Sequence, residues 1–190
     1  GFSTTTNVGS QYGTTFDGFG SFATSTYMFP PGGNTRERNR GRALWMGGYA
    51  PSNYRTMIDF VNIQSTGNAQ DFGELGQTGL GEGSECASST RAVQGGGSLI
   101  NVMEFVTIAN TSNCTDFGDL DVAAANRTGT SNQTRGLIAA GYAPNTRQID
   151  KIEIATLGDA TDYGDLNNQG FYGLNSGGMV SSSTRGLYAG

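Results

Sequence analysis

Apolar and polar residues largely alternate along three short stretches: Ile58–Ile63 (I-D-F-V-N-I), Met103–Ile108 (M-E-F-V-T-I) and Ile149–Ile154 (I-D-K-I-E-I). A period of two places successive side chains on opposite faces, so each stretch predicts a β-strand. The supposedly polar faces carry apolar residues as well, as expected of strands covered on both sides within a stack of sheets. Upstream of each lies an apolar strand with a tail of small residues: R-A-L-W-M-G-G-Y at 42–49, R-A-V-Q-G-G-G at 91–97 and R-G-L-I-A-A-G-Y at 135–142, with a fourth copy, R-G-L-Y-A-G, at 185–190.

Downstream of each alternating strand the wording is fixed. Ile63–Leu75, Ile108–Leu120 and Ile154–Leu166 each end in D-[FY]-G-[DE]-L, with the first acid eight residues after the isoleucine. This predicts a turn in which the first acid caps backbone amides. Units start near Arg42, Arg91, Arg135 and Arg185, and a period of about 45–50 residues with several strands per unit predicts a repeat architecture whose copies stack. The length differences fall in the connections 49–57, 97–102 and 142–148, and loops that vary on a constant framework are where binding is expected.

Residues 36–190 form the repeat region, and 1–35 an N-terminal segment that does not match it. Within that segment Phe22–Phe29 reads as a strand stopped by Pro30, Pro31, Gly32 and Gly33. Four arginine strands but only three D-[FY]-G-[DE]-L stretches leave the last unit incomplete. The N-terminal segment is expected to supply the missing strands, the rival being completion by other subunits or further sequence.

Composition narrows the function classes. The 190 residues carry a net charge of −5, and Lys151 is the single lysine. Nucleic-acid binding needs a concentrated basic face, so it is not expected. No apolar run is long enough to span a bilayer, so no membrane insertion is expected. The chain has no histidine, which excludes Ser-His or Cys-His nucleophilic catalysis and an imidazole metal cluster within it. Cys86 and Cys114 stand where other copies have small residues, which suggests buried free thiols.

The glycine doublets Gly47-Gly48 and Gly95-Gly96, followed by a loop, an alternating strand and an aromatic at Phe72, Phe117 or Tyr163, resemble kelch-type β-propeller blades. The closer wording, T-R-G-L, V-M-E-F-V-T-I-A and N-x-x-D-F-G-D-L, resembles repeat proteins of marine, especially cyanobacterial, bacteriophages over about Gly41–Gly190. Ser98, where other copies have Tyr49 and Tyr142, and Ala140 within the glycine run depart from the pattern. The resemblance implies an all-β, kelch-like propeller of about four blades in a non-enzymatic virion protein, a tail, fibre or capsid-surface component. Its implied partners are other virion proteins, copies of itself or a host-surface glycan. The alternative is a secreted carbohydrate-binding or carbohydrate-active protein of cellular origin.

Asp-Phe-Gly suggests a kinase, but the phosphate loop, lysine and catalytic-loop residues of kinases are absent. Calcium held by the paired acids Asp71 with Glu74, Asp116 with Asp119 and Asp162 with Asp165 lacks the ligand ladder of calcium repeats. The reading preferred for these acids is structural, with Arg91, Arg135 and Arg185 as their pairing partners. No catalytic residue, metal or cofactor is assigned. The candidate binding residues are Tyr49, Pro51, Asn53 and Tyr54 on one loop and Tyr142, Pro144 and Asn145 on another, where flat aromatic faces and amides suit a sugar or a protein partner.

Overall fold

A computed structural model of the chain describes residues 41–50, 53–167 and 177–189. The N-terminal segment, with its expected strand at Phe22–Phe29 and its expected role in completing the last unit, lies outside these. The chain divides into two compact units, Gly1–Ala43 with Asn62–Gly67, and Leu44–Val61 with Asn68–Gly190. In the described part of the first, the Ile63 N–H donates to the Gly41 carbonyl at 2.6 Å.

The fold is all-β, built from antiparallel sheets whose strands follow chain order. The first sheet comprises β1 (Arg42–Ala50), β2 (Asn53–Asn62) and β3 (Gln70–Glu74). After a 3-10 turn at Thr78–Glu82, the second has β4 (Ser84–Ala87), β5 (Arg91–Gly95), β6 (Val102–Thr107) and β7 (Thr115–Asp119). The third has β8 (Thr128–Ser131), β9 (Arg135–Ala139), β10 (Gln148–Glu153) and β11 (Thr161–Asp165). A two-stranded sheet of β12 (Gly178–Ser181) and β13 (Gly186–Ala189) follows.

Each four-stranded sheet therefore begins one strand before its arginine. The hairpin joining that extra strand to the arginine strand is shaped by a single side chain. Ser88 Oγ accepts the N–H groups of Thr90 and Arg91, Asn132 Oδ1 those of Thr134 and Arg135, and Ser182 Oγ those of Thr184 and Arg185. The residue three before each arginine thus folds the tight turn locally.

The D-[FY]-G-[DE] stretch is not a turn but the last strand of each of these three sheets. Its register against the strand before it shifts by one residue, between Ile58 and Asp59, Met103 and Glu104, and Ile149 and Asp150. In the first two sheets the extra residue is the aromatic, which the bulge turns into the core. Phe72 and Phe117 are each 2% exposed. Phe60 and Phe105 meet them edge to face, at 5.8 and 6.0 Å between ring centroids.

The second sheet is covered on both faces, as its non-alternating apolar content predicts. Ala92, Val106 and Ile108 join Ile58 and Phe72 of the first sheet in one core. Val93, Met103 and Phe117 join Ile138, Ile152 and Ile154 of the third in another. The leading strands β4, β8 and β12 lie side by side, linked by serines. Ser131 Oγ accepts the Ala87 N–H at 2.9 Å and donates to the Ala87 carbonyl at 2.7 Å, and Ser181 Oγ donates to the Ser131 carbonyl at 2.6 Å.

At the other end of the sheets, the last strands of the first two sheets are gripped by the following unit. The Cys114 N–H donates to the Glu74 carbonyl, and the Glu74 N–H donates to Asn113 Oδ1. One unit later the Ala160 N–H donates to the Asp119 carbonyl, and the Asp119 N–H to Asp159 Oδ1. Gly73 and Gly118 sit under these loops with φ of 152° and 138°. A Cβ there would fall inside contact distance of the Ser112 or Gly158 backbone, so both the torsion and the space require glycine.

Candidate functional site

The two aromatic loops are shaped differently. β1 runs on through Gly47 and Gly48, whose φ angles are positive, and β2 begins at Asn53, so the first connection is far shorter than the 49–57 expected. Tyr49 at the end of β1 and Tyr54 at the start of β2 stack at 5.2 Å between centroids, with planes inclined by 52°. Ser98 Oγ of the next unit donates to Tyr54 Oη at 2.9 Å. The repeat position that departs from tyrosine in the second unit thus supplies the hydroxyl that braces the tyrosine of the first. Tyr49 remains 66% exposed, leaving a ring face for a ligand. Asn53 is exposed beside Tyr54, and Pro51 lies outside the described residues.

The second loop carries Tyr142, Pro144 and Asn145, all exposed. Tyr142 exchanges both backbone hydrogen bonds with Ala125, and the Thr146 N–H closes the loop onto the Gly141 carbonyl. Beneath it lies a feature the sequence reading missed. The Arg127 guanidinium is buried and donates to Asp150 Oδ2 at 2.8 Å, to Val122 and Ala140 carbonyls at 3.0 and 2.9 Å, and to the Ile138 and Gln148 carbonyls. Gln148 Nε2 donates to Asp150 Oδ1 and to Asp121 Oδ2. Burial raises the Asp150 carboxyl above the usual range and lowers Arg127, and the ion pair opposes both shifts. The signals available were an arginine inside the otherwise small-residue run A-A-A-N-R-T and an acid at an inward position of β10.

The repeat arginines and strand acids are placed as follows. Arg91 Nη1 donates to the Ile154 carbonyl of the next unit, and its guanidinium lies 4.5 Å above the Phe105 ring. Arg135 pairs with Glu153 at 3.3 Å, within its own sheet. Asp165 lies 3.5 Å from Arg147, and Asp162 Oδ1 accepts the Gly164 N–H. Asp71, Asp116 and Asp119 are exposed on their strands. Arg185 lines a cleft of about 80 Å³ with Arg135, Leu137 and Tyr163. The expected arginine–acid pairs are thus distributed over other partners. Arg91 stacks and bonds a backbone carbonyl, and Arg135 uses a third-strand acid. Both thiols are free. Cys86 is buried and Cys114 half-buried, and burial pushes each up to about 12.

No family model matches the chain, and no curated protein matches it. Among solved structures it is similar to a fungal alcohol oxidase of the AA5 family, in complex with copper, at a TM-score of 0.43 and 13% identity. The match covers 60% of this chain and 26% of the oxidase, so the chain spans about a quarter of that protein.

Proposed function

We propose that the protein is a non-enzymatic binding and structural module of a phage virion, a kelch-like β-propeller of about four blades working through its exposed loops. The repeated sheets in chain order, with their leading strands side by side, support the propeller reading. The virion role rests on the resemblance of the repeat wording to phage proteins. The observation that carries the loop assignment is the Tyr49–Tyr54 pair, a braced aromatic stack with one face open to solvent. Rigid aromatic faces bind flat apolar sugar faces or partner side chains with little loss of conformational entropy.

A glycan array probed with the wild type and with Tyr49→Ala tests this reading. Selective binding that the variant loses, with an unchanged melting temperature, supports it. Turnover of a polysaccharide that Asp119→Asn abolishes would overturn it in favour of a carbohydrate-active enzyme.

A further inference from the structure

The connections from each arginine strand to the strand after it follow one backbone path in three successive units. Two left-handed residues in a row lie towards or just past the end of the arginine strand. Their φ angles are 79° and 132° at Gly47 and Gly48, 71° and 123° at Gly96 and Gly97, and 65° and 145° at Ala140 and Gly141. The residue after each pair is Tyr49, Ser98 or Tyr142, so these three occupy equivalent places at one end of the stacked sheets. Neighbouring connections touch. Ser98 Oγ donates to Tyr54 Oη between the first two. The Arg127 stem fills the space between the second and third: a Cβ built at Gly96 would stand 3.6 Å from its Cδ, and one at Gly141 3.3 Å from its Cγ. Two of the connections are also closed by their own backbone, the Ile100 N–H on the Gly97 carbonyl and the Thr146 N–H on the Gly141 carbonyl. Leu99 stands out on this rim. It is left-handed, with φ of 66°, and 54% exposed. Its equivalent Ala143 is left-handed too, with φ of 53°, so the path requires the torsion but not a large apolar side chain. A left-handed leucine is strained, and strain kept at a surface position points to use.

We propose that Tyr49, Leu99 and Tyr142 form one track across three units for a single extended, uncharged polysaccharide chain. This rests on the reading of the aromatic loops as a binding surface and names the ligand that surface takes. The three side chains are 66%, 54% and 51% exposed. Where the middle unit has serine in place of tyrosine, Leu99 supplies the apolar contact. Stretches 49–54, 97–102 and 142–146 contain no charged residue, and Asn53 and Asn145 present exposed amides. Tyrosine rings and an aliphatic side chain cover the apolar faces of sugar rings, and amides bond their hydroxyls. A protein of net charge −5 repels an acidic polymer, which selects the neutral class. Stacked sheets lie about 10 Å apart, so Tyr49 and Tyr142, two sheets apart, are separated by on the order of 20 Å. A monosaccharide can reach one contact only. A chain of several sugars engages all three, and each contact after the first is made at high effective concentration.

The test uses the full chain in native gels containing β-1,4-glucan, β-1,4-mannan, β-1,4-xylan or β-1,3-glucan, with alginate as the acidic comparison. At least one neutral polymer is expected to retard the protein, and alginate is not. Calorimetry with oligosaccharides cut from the retarding polymer should then show the hexasaccharide binding at least about tenfold more tightly than the disaccharide. Leu99→Gly and Tyr142→Ala should each weaken the hexasaccharide about fivefold, the loss of one apolar contact. Leu99→Gly should melt no lower than the wild type, because glycine relieves the torsion. A loss of binding without a loss of stability is what a merely structural leucine would not give. A hexasaccharide no tighter than the disaccharide, or binding indifferent to Leu99→Gly, would overturn the track while leaving a single site that Tyr49→Ala still abolishes. Retardation by alginate alone would overturn the neutral class. Retardation by none of the polymers would remove both the track and the sugar-binding reading beneath it.

Discussion

Arg127 and Asp150 form an ion pair 2.8 Å apart with both side chains fully buried, joining the segment after the second sheet to the third strand of the third. Removing one partner strands the other charge in the core. Asp150→Ala is expected to lower stability by about 3–5 kcal/mol, whereas replacing both residues by apolar ones of similar volume should cost much less. Urea titrations of the single and double variants give the comparison. The Tyr142 loop rests on the Ala140 carbonyl that Arg127 holds, so its amides should exchange faster in the single variant.

Gly118 and Gly164 occupy the same repeat position with φ of 138° and 137°, but among the described residues only Gly118 lies against a following loop. Gly164→Ala should cost about 1–2 kcal/mol, the strain of the torsion alone. Gly118→Ala adds a steric clash with the Gly158 backbone and should cost roughly 1–3 kcal/mol more. Thermal melts that rank the two equally would remove the junction as the cause.

The Cys86 thiol is buried, donates to the Thr130 carbonyl, and is pushed up to about 12 by desolvation. Thiolate is the reactive form, so Cys86 should resist alkylation in the native protein at pH 8 and react promptly once unfolded. Mass spectrometry of iodoacetamide-treated protein reads this out site by site.

Glu104 is buried and accepts the Gly76 N–H at 2.7 Å. Burial raises its carboxyl, the Gly76 hydrogen bond lowers it, and Asp116 raises it again. A raised folded value means the native state holds more protons than the unfolded chain between the two values. Stability therefore falls as pH rises through that window. Glu104→Gln, which keeps an acceptor without the charge, should be as stable as the wild type or more so at pH 7. That advantage should shrink towards pH 4, as paired urea midpoints would reveal.

Much of the arginine strands and of the strands that follow them was legible because side chains largely alternate and the arginines recur. The leading strands were not. Ser84–Ala87, Thr128–Ser131 and Gly178–Ser181 are short and mostly polar or small, with no apolar period to find. They are strands because the serines and backbone of neighbouring sheets satisfy them. The last strand of each sheet that carries D-[FY]-G-[DE] was visible as a motif but read as a turn, since Asp and Gly are turn formers in isolation. In the folded chain the stretch is a strand with a bulge at its aromatic, and the glycine stays paired in the ladder. In the candidate site, Tyr49 and Tyr54 were found from their loop, while the brace from Ser98, 44 residues away, was not.

By itself the amino-acid sequence determined the all-β class and the repeating unit, because periodicity and spacing are local properties of the chain. The tertiary structure alone decided which faces are closed, that Arg127 finds Asp150, and that Tyr163 is open where Phe117 is sealed. Each of those depends on which unit comes to lie against which, and equivalent residues with similar wording acquire different environments only through their neighbours in space.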